Sequence, residues 1–351
     1  MTKTVPTATT VRCRPKIETV EDLRCHLQIA LELEHATIPP YLCALYSIPD
    51  GSNAPASALV RSVVMEEMLH MVLVSNLLNA IDGHPKLAHA EFVPKYPTYL
   101  PNSDQSFLVD LLPFSQQALD IFLRIERPTP ADGQADPDHF HTIGEFYLGI
   151  LAGFERLAST PDAERALFSG AQSRQVTGAS WYYGGGGEPI EVHDLASARR
   201  AIEEISEQGE GYDHTMWDHD DQFGEVDELA HYFRFNEIRC ERRYTTTDSP
   251  HQRPTGAAVL VDWTARYPMC ANPKASEFAG QPDIHAMMMA FNSRYSALLR
   301  ALEQAFNGEP AALKAAVPIM YELKYCAQAL MAVPSGRGDG TTAGPSFEFV
   351  G

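Results

Sequence analysis

Two stretches of the sequence pair a glutamate with a histidine three residues later. Glu67 and His70 form one pair, and Glu228 and His231 form the other. Residues three positions apart share one face of a helix, so each pair can direct a carboxylate and an imidazole at one point. Glu34 stands in register with the apolar positions of an earlier helix and is expected to point inward. Carboxylates and imidazoles bind iron, manganese or zinc, so the spacing predicts a metal site.

The number of such acids indicates a site for two ions. An ionised carboxylate in an apolar interior is costly unless a cation neutralises it. Two Glu-x-x-His pairs, each preceded by an inward glutamate on another helix, match the four-helix plan that holds two metals. Glu145, on an otherwise apolar helix, is the first choice for the remaining glutamate; Glu207 is the second, and Glu204 and Glu210 are weaker. The predicted metal ligands are Glu34, Glu67, His70, Glu145, Glu207, Glu228 and His231.

Alternative interpretations of single residues stay open. Glu228 also fits an acid in the first turn of a helix, favoured by the helix dipole. We expect Glu32 and His35 to face solvent or to lie behind the ligands. His214 and His219 stand among aspartates, and a solvated loop explains them better than a second metal site.

The elements that carry the ligands are predicted to be helices. Thr19 is expected to cap the first helix, which must kink or break at Pro39-Pro40. Apolar spacing places a second helix over residues 55–81. Residues 84–115 contain prolines at 85, 94, 97, 101 and 113 and are predicted to form an extended loop. The glycine-rich residues 181–188 indicate a mobile loop. Further helices are predicted over residues 116–125, 142–157, 196–207, 226–242, 284–306 and 310–331.

We divide the chain accordingly into three parts. Residues 1–16 are expected to be a disordered leader, and residues 17–245 a metal-binding helical bundle. Residues 246–351 are expected to form an extension whose helical hairpin packs on that bundle.

Charge and composition exclude several classes of protein. The net charge of −19 argues against nucleic acids and anionic membrane surfaces, since both require a basic face. No apolar run is long enough to span a bilayer, and the first 20 residues show no signal peptide. The six cysteines are scattered without a C-x-x-C pair, so we expect free thiols and a cytoplasmic location.

Five segments of the chain carry a resemblance to a known family: residues 32–42, 66–70, 142–147, 207–211 and 231–235. They resemble the ferritin-like domain of the iminophenyl-pyruvate dimer synthases, which include the indole-dimer-forming enzymes of violacein and rebeccamycin biosynthesis. The resemblance covers about residues 20–245. It implies a mainly α fold, a ferritin-like four-helix bundle with long loop insertions and additional C-terminal helices.

The predicted metal ligands and this family resemblance together imply a non-haem oxidoreductase of secondary metabolism. It would hold two iron ions, with manganese as an alternative, and use O2 on a small organic substrate such as an imine derived from an aromatic amino acid. Tyr41, Tyr147 and Tyr232 neighbour the proposed ligands and are candidate pocket residues. A ferroxidase-like metal-binding protein without an organic substrate and a metal-free pathway scaffold are the alternatives. A homo-oligomer is compatible with all three.

Overall fold

The computed structural model describes residues 13–181, 186–211, 214–218 and 228–351. Within these ranges the chain is helical, and β-structure is confined to isolated bridges. This confirms the predicted mainly α class. Residues 1–12 of the predicted leader and residues 184 and 185 of the glycine run lie outside the described residues. The helices are α1 (Val20–Ser47), α2 (Ala54–Ala80), α3 (Gln116–Ile125), α4 (Ile143–Leu157), α5 (Pro161–Leu167), α6 (Leu195–Glu210), α7 (His231–Cys240), α8 (Pro282–Phe306) and α9 (Leu313–Met331).

Helix α1 begins where the sequence predicts and runs further than expected. The Thr19 hydroxyl accepts the N–H of Asp22, and the Asp22 carboxylate accepts the N–H of Thr19, which forms a capping box. The helix continues through Pro39-Pro40, although each proline removes one backbone donor. Both prolines are buried, and packing against the neighbouring helices stabilises this stretch.

Four helices form the bundle that surrounds the predicted ligands. Helix α1 packs on α2, and helix α4 packs on α6. The two pairs contact each other through α1 with α4 and through α2 with α6. Helices α3 and α7 pack on each other; α3 also contacts α1, and α7 contacts α2 and α6. Side chains from these four helices and from α3 and α7 can therefore reach one interior.

Helix α7 begins later than predicted. Residues 226 and 227 lie outside the described residues, and residues 228–230 are not helical. The N–H of Ala230 donates to the carbonyl of Met216, and Trp217 and Leu229 form an antiparallel bridge. Because this backbone pairs with residues 216–218, the helix starts only at His231, and Glu228 lies before it.

Helices α8 and α9 form a hairpin that packs on α2 and α1, respectively. The amide of Asn79, near the end of α2, donates to the carbonyl of Phe306 at 2.7 Å. A short 3-10 turn, Pro310–Ala312, precedes α9, so the last helix starts slightly later than predicted. The proposed boundary between residues 245 and 246 stays a prediction.

The expectation that every cysteine is a free thiol is wrong for one pair. Cys13 and Cys25 form a disulfide, whereas Cys43, Cys240, Cys270 and Cys326 are free. The segment after Cys13 is held against α4, because the Arg156 guanidinium donates to the carbonyl of Ile17 at 2.6 Å. The disulfide itself links Cys13, which precedes this segment, to Cys25 within α1. The cytoplasmic location, which was inferred from free thiols, stays a prediction. Among the described residues, none of the helices is both long and apolar enough to cross a membrane.

Candidate metal centre

Buried carboxylates and imidazoles from four helices meet inside the bundle. Helix α1 supplies Glu34, and α2 supplies Glu67 and His70 from successive turns of one face. Glu126 lies at the C-terminal end of α3, and His231 is the first residue of α7. All five side chains are buried, with at most 4% of any residue exposed.

The five residues form two groups of three that share Glu67. One group contains Glu34, Glu67 and His70, and the other contains Glu67, Glu126 and His231. Within each group the possible ligand atoms lie within 4.8 Å of one another. Nδ1 of His70 is 3.3 Å from Glu34 Oε2 and 3.9 Å from Glu67 Oε2. Nδ1 of His231 is 3.0 Å from Glu67 Oε1 and 3.5 Å from Glu126 Oε2. The two oxygens of Glu67 thus face different histidines.

Hydrogen bonds behind the histidines direct the same nitrogen of each ring inward. Nε2 of His70 donates to the Gln208 carbonyl oxygen at 3.0 Å, while the Gln208 amide nitrogen donates to Glu204 at 2.9 Å. Nε2 of His231 donates to Glu66 at 2.9 Å. When the ring is neutral, the proton on Nε2 leaves Nδ1 with a lone pair that a metal ion could bind between the carboxylates.

Hydroxyl groups hold the carboxylates in a similar way. The Tyr147 hydroxyl donates to Glu34, and the Tyr41 hydroxyl donates to Glu126. Thr37 donates to Glu67 at 2.8 Å. Tyr232, the third predicted pocket tyrosine, instead packs on Phe233. Two of the three tyrosines therefore position carboxylates of the cluster.

A buried arginine anchors the acid behind His231. The Arg234 guanidinium lies 2.6 Å from Glu66 and 3.2 Å from Asp218. Burial alone would raise the pKa of Glu66, but the charge of Arg234 and the hydrogen bond from His231 lower it to about 2. Glu66 is consequently an anion that fixes the His231 ring.

The electrostatics of the cluster favour a cation. Burial and the charge of Glu126 together raise the pKa of Glu67 to about 7. Burial would lower the pKa of His231, but hydrogen bonding by Glu126, Glu66 and Glu67 raises it well above its ordinary value. Nδ1 of His231 is buried close to the carboxylates of Glu67 and Glu126, but in a geometry that satisfies no hydrogen bond among the described residues. A metal ion would satisfy this nitrogen and neutralise the carboxylates, so the residues present fit a metal centre.

The other predicted ligands lie away from the two groups. Glu145 is the N3 residue of α4, where its carboxylate accepts the backbone N–H of His141 at 2.7 Å. Glu228 is 58% exposed and pairs with Arg234 at 3.1 Å. Glu207 and Glu204 belong to α6, and neither is part of the two groups. His214 is exposed, and His219 lies outside the described residues.

Glu210 lies beside the cluster without joining either group. Its carboxylate accepts the backbone N–H groups of Thr129 and Gly144, both at 2.8 Å. Burial raises the pKa of Glu210 to about 7. Together with Glu34, Glu67 and His70 it lines a cavity of about 20 Å³, which has room for a single water-sized molecule.

Sequence reasoning missed Glu126. It follows a ten-residue helix and precedes a Pro-rich connection, so it lacks the helical spacing that marked the other acids. The sequence contained one signal. The helix dipole disfavours an acid at the C-terminal end of a helix, so an acid at this position indicates some other stabilising interaction. Its burial beside His231 supplies that reason.

The fold agrees with comparisons to known proteins. A ferritin-like family model matches residues 27–240, and the chain belongs to the ferritin-like family. The chain is 27% identical to a dichlorochromopyrrolate synthase from Lentzea aerocolonigenes over 95% of its own length and 36% of that protein. It is 25% identical to a 2-imino-3-(indol-3-yl)propanoate dimerase from Chromobacterium violaceum over 94% of its length and 34% of that protein.

These matches confirm the resemblance to the iminophenyl-pyruvate dimer synthases. The chain spans about a third of the length of these two relatives. A solved ferritin-like protein from Caulobacter vibrioides superimposes with a TM-score of 0.63 and 24% identity, over 95% of this chain and all of that one. That likeness shows the shared fold.

Proposed function

We propose that this chain is a non-haem dimetal oxidoreductase that holds two iron ions and uses O2. The observation that carries the proposal is the pair of three-residue groups that share Glu67, with the inward Nδ1 of each histidine. Glu34 and His70 would hold one ion, and Glu126 and His231 the other, with Glu67 between them. Bound iron supplies one-electron chemistry with oxygen, which these carboxylate and imidazole ligands support.

The surrounding residues of the chain have separate tasks in this proposal. Tyr147 and Tyr41 orient Glu34 and Glu126 through their hydroxyls. The small cavity has room for a molecule the size of O2 or water. Glu210, whose pKa is about 7, can hold or release a proton at the edge of this cavity near neutral pH.

We further propose a small organic substrate, an imine derived from an aromatic amino acid. The support is the pair of relatives whose names describe a dichlorochromopyrrolate synthase and an indolyl imine dimerase. A ferroxidase-like protein without an organic substrate is the second candidate. The narrowness of the cavity at the cluster favours it, since an aromatic ring does not fit there.

The test is metal content per chain after growth with added iron. Wild type is expected to hold roughly two irons, as the four-helix dimetal plan requires. The Glu67→Ala/His70→Ala variant is expected to lose them. His89→Ala/Glu91→Ala is a matched control, because it removes an exposed histidine–glutamate pair 3.2 Å apart. Metal content near zero in wild type, or equal metal content in all three proteins, would contradict the assignment of the metal ligands and favour the scaffold alternative.

Oxygen consumption separates the two metal-dependent candidates. Iron-loaded protein that consumes O2 with ferrous iron alone, and no faster with an aromatic imine, would support the ferroxidase-like alternative. Consumption that requires the imine would support the oxidoreductase.

A further inference from the structure

A second cavity, of about 630 Å³, lies on the other side of the α1–α2 pair. Glu34, Thr37 and Tyr41 of α1 face the metal cluster, whereas His35, Ile38 and Leu42 line the cavity. The two sets are offset by one residue, which is about 100° around a helix. Helices α4, α6 and α7 cover the cluster, and α8 and α9 cover the cavity.

The lining of the cavity suits an aromatic ring system. Its volume lies in the middle of the range for sites that enclose an organic ligand, ~300–1,000 Å³. Thioether sulfurs and ring edges both make favourable contacts with aromatic rings. Methionines and aromatic side chains are prominent in the wall: Met65, Met68, Met71, Met320, Tyr46, Tyr295 and Phe347.

Polar groups stand at both ends of this apolar space. At the inner end, Nε2 of the buried His35 lies 2.5 Å from the Tyr295 hydroxyl. Burial of His35 contradicts the solvent-facing alternative of the two that were expected for it. Its Nδ1 has no hydrogen-bond partner in the described part of the chain. A ligand within the cavity would meet this histidine–tyrosine pair beneath its ring.

The outer end carries an excess of positive charge in a strongly acidic protein. Lys324 pairs with Asp50 at 2.9 Å. The Arg61 guanidinium, also in the wall, is exposed, and its charge adds to that of Lys324 in lowering the pKa of Asp50. Two cations and one anion leave one positive charge available for an anionic group.

We propose that this cavity binds an aromatic carboxylic acid, with its rings among the methionines and its carboxylate on Arg61. The inference deepens the proposed function and rests on it where it identifies this ligand as the organic substrate. The contrast in size supports the placement: the cavity at the cluster has about 20 Å³ and this one about 630 Å³. Substrate and metals would then lie on two sides of one helix pair.

Titration calorimetry with indole-3-propionate, a stable aromatic acid, tests the site on the full chain. Wild type is expected to show saturable binding, and Arg61→Ala to bind about tenfold more weakly through loss of a charge-assisted hydrogen bond. Arg200→Ala, an exposed arginine on α6, is the matched control and should bind like wild type. The neutral indole-3-propionamide should bind wild type and Arg61→Ala equally.

Variants that fill the cavity test its location. Leu42→Trp is expected to abolish binding, and Ala58→Trp, at an exposed position of the wall, repeats the test with little risk to folding. Leu148→Trp, at a position 44% exposed on α4, is the control and should leave binding unchanged.

Failure of this inference is distinguishable from failure of the metal assignment. Glu67→Ala/His70→Ala should lose metal and keep binding indole-3-propionate, while Arg61→Ala should keep metal. No saturable binding by wild type would overturn the inference. So would binding lost in Glu67→Ala/His70→Ala and retained in Leu42→Trp, because the ligand would then lie at the cluster.

Discussion

At the scale of single residues, the hydroxyl groups behind the ligands offer the mildest change. Tyr147→Phe removes the hydrogen bond to Glu34 and keeps the ring, which packs on Phe146. Because outer hydrogen bonds orient metal ligands, we expect metal affinity to fall about 10–100-fold without loss of the fold. Competition with a chromogenic chelator measures this affinity.

The matched control is Tyr232→Phe, which changes a half-buried tyrosine whose hydroxyl makes no hydrogen bond to the described residues. It should bind metal like wild type. Equal affinity in Tyr147→Phe and wild type would contradict the proposed role of the Tyr147 hydroxyl in orienting Glu34.

Glu210 carries a prediction about pH. Burial raises its pKa from an ordinary value near 4.5 to about 7, so the folded chain holds this proton more tightly than the unfolded chain. The free energy of unfolding should therefore fall as the pH rises from about 4.5 to about 7. Glu210→Gln stays neutral, and its stability relative to wild type should rise by roughly 2 kcal/mol over that window.

Urea denaturation at pH 5 and pH 7.5, after treatment with a chelator, measures the free energy of unfolding of wild type and of Glu210→Gln. Parallel losses in wild type and Glu210→Gln would contradict the assignment of this proton to Glu210.

At the scale of elements, periodic apolar spacing was enough to predict most helices. Thr19 marked the start of α1, and apolar spacing placed α2 within one residue of its observed bounds. Glu34, Glu67 and His70 could be placed inward because their own helices are long and strongly patterned. Local signals could not reveal the pairing of residues 228–230 with residues 216–218, which delays α7.

Long-range contacts decided the rest of the site. Glu126 reaches the cluster because α3 packs on α7, and no spacing within α3 encodes that contact. Glu145 has the inward pattern of a ligand, but its carboxylate caps its own helix. A capping box and a metal ligand look alike in the sequence, since both require an acid near an apolar helix face.

The Cys13–Cys25 disulfide makes a prediction about the first helix. It closes a loop with a sequence separation of 12, and loss of such a crosslink costs about 2–3 kcal/mol of unfolding free energy. Cys13→Ser/Cys25→Ser should show this loss in urea denaturation. Dithiothreitol should lower the free energy of unfolding of wild type to the same value.

Dithiothreitol should not change the free energy of unfolding of the double variant, which has no disulfide to reduce. Cys326→Ser, which changes a free and half-buried thiol, serves as the control and should retain the effect of dithiothreitol. A wild type that is indifferent to the reductant would contradict a stabilising role for the crosslink.

At the scale of the whole molecule, metal binding should appear as thermal stability. Ions that bind only the folded chain stabilise it by about 2.7 kcal/mol when their concentration is 100 times Kd. We expect ferrous iron under argon to raise the melting temperature of metal-free wild type by a few degrees. His89→Ala/Glu91→Ala should respond alike, and Glu67→Ala/His70→Ala should not respond. An equal rise in the last variant would show that iron acts elsewhere.

The one-residue offset between the two sides of α1 restricts how this protein can change in evolution. An insertion or deletion within the helix turns every later residue by about 100°. Placed between Glu34 and Tyr41, a length change would direct the wrong set of side chains at both the cluster and the large cavity. Substitution is thus the route of divergence in α1, and length variation should concentrate in connections such as residues 84–115.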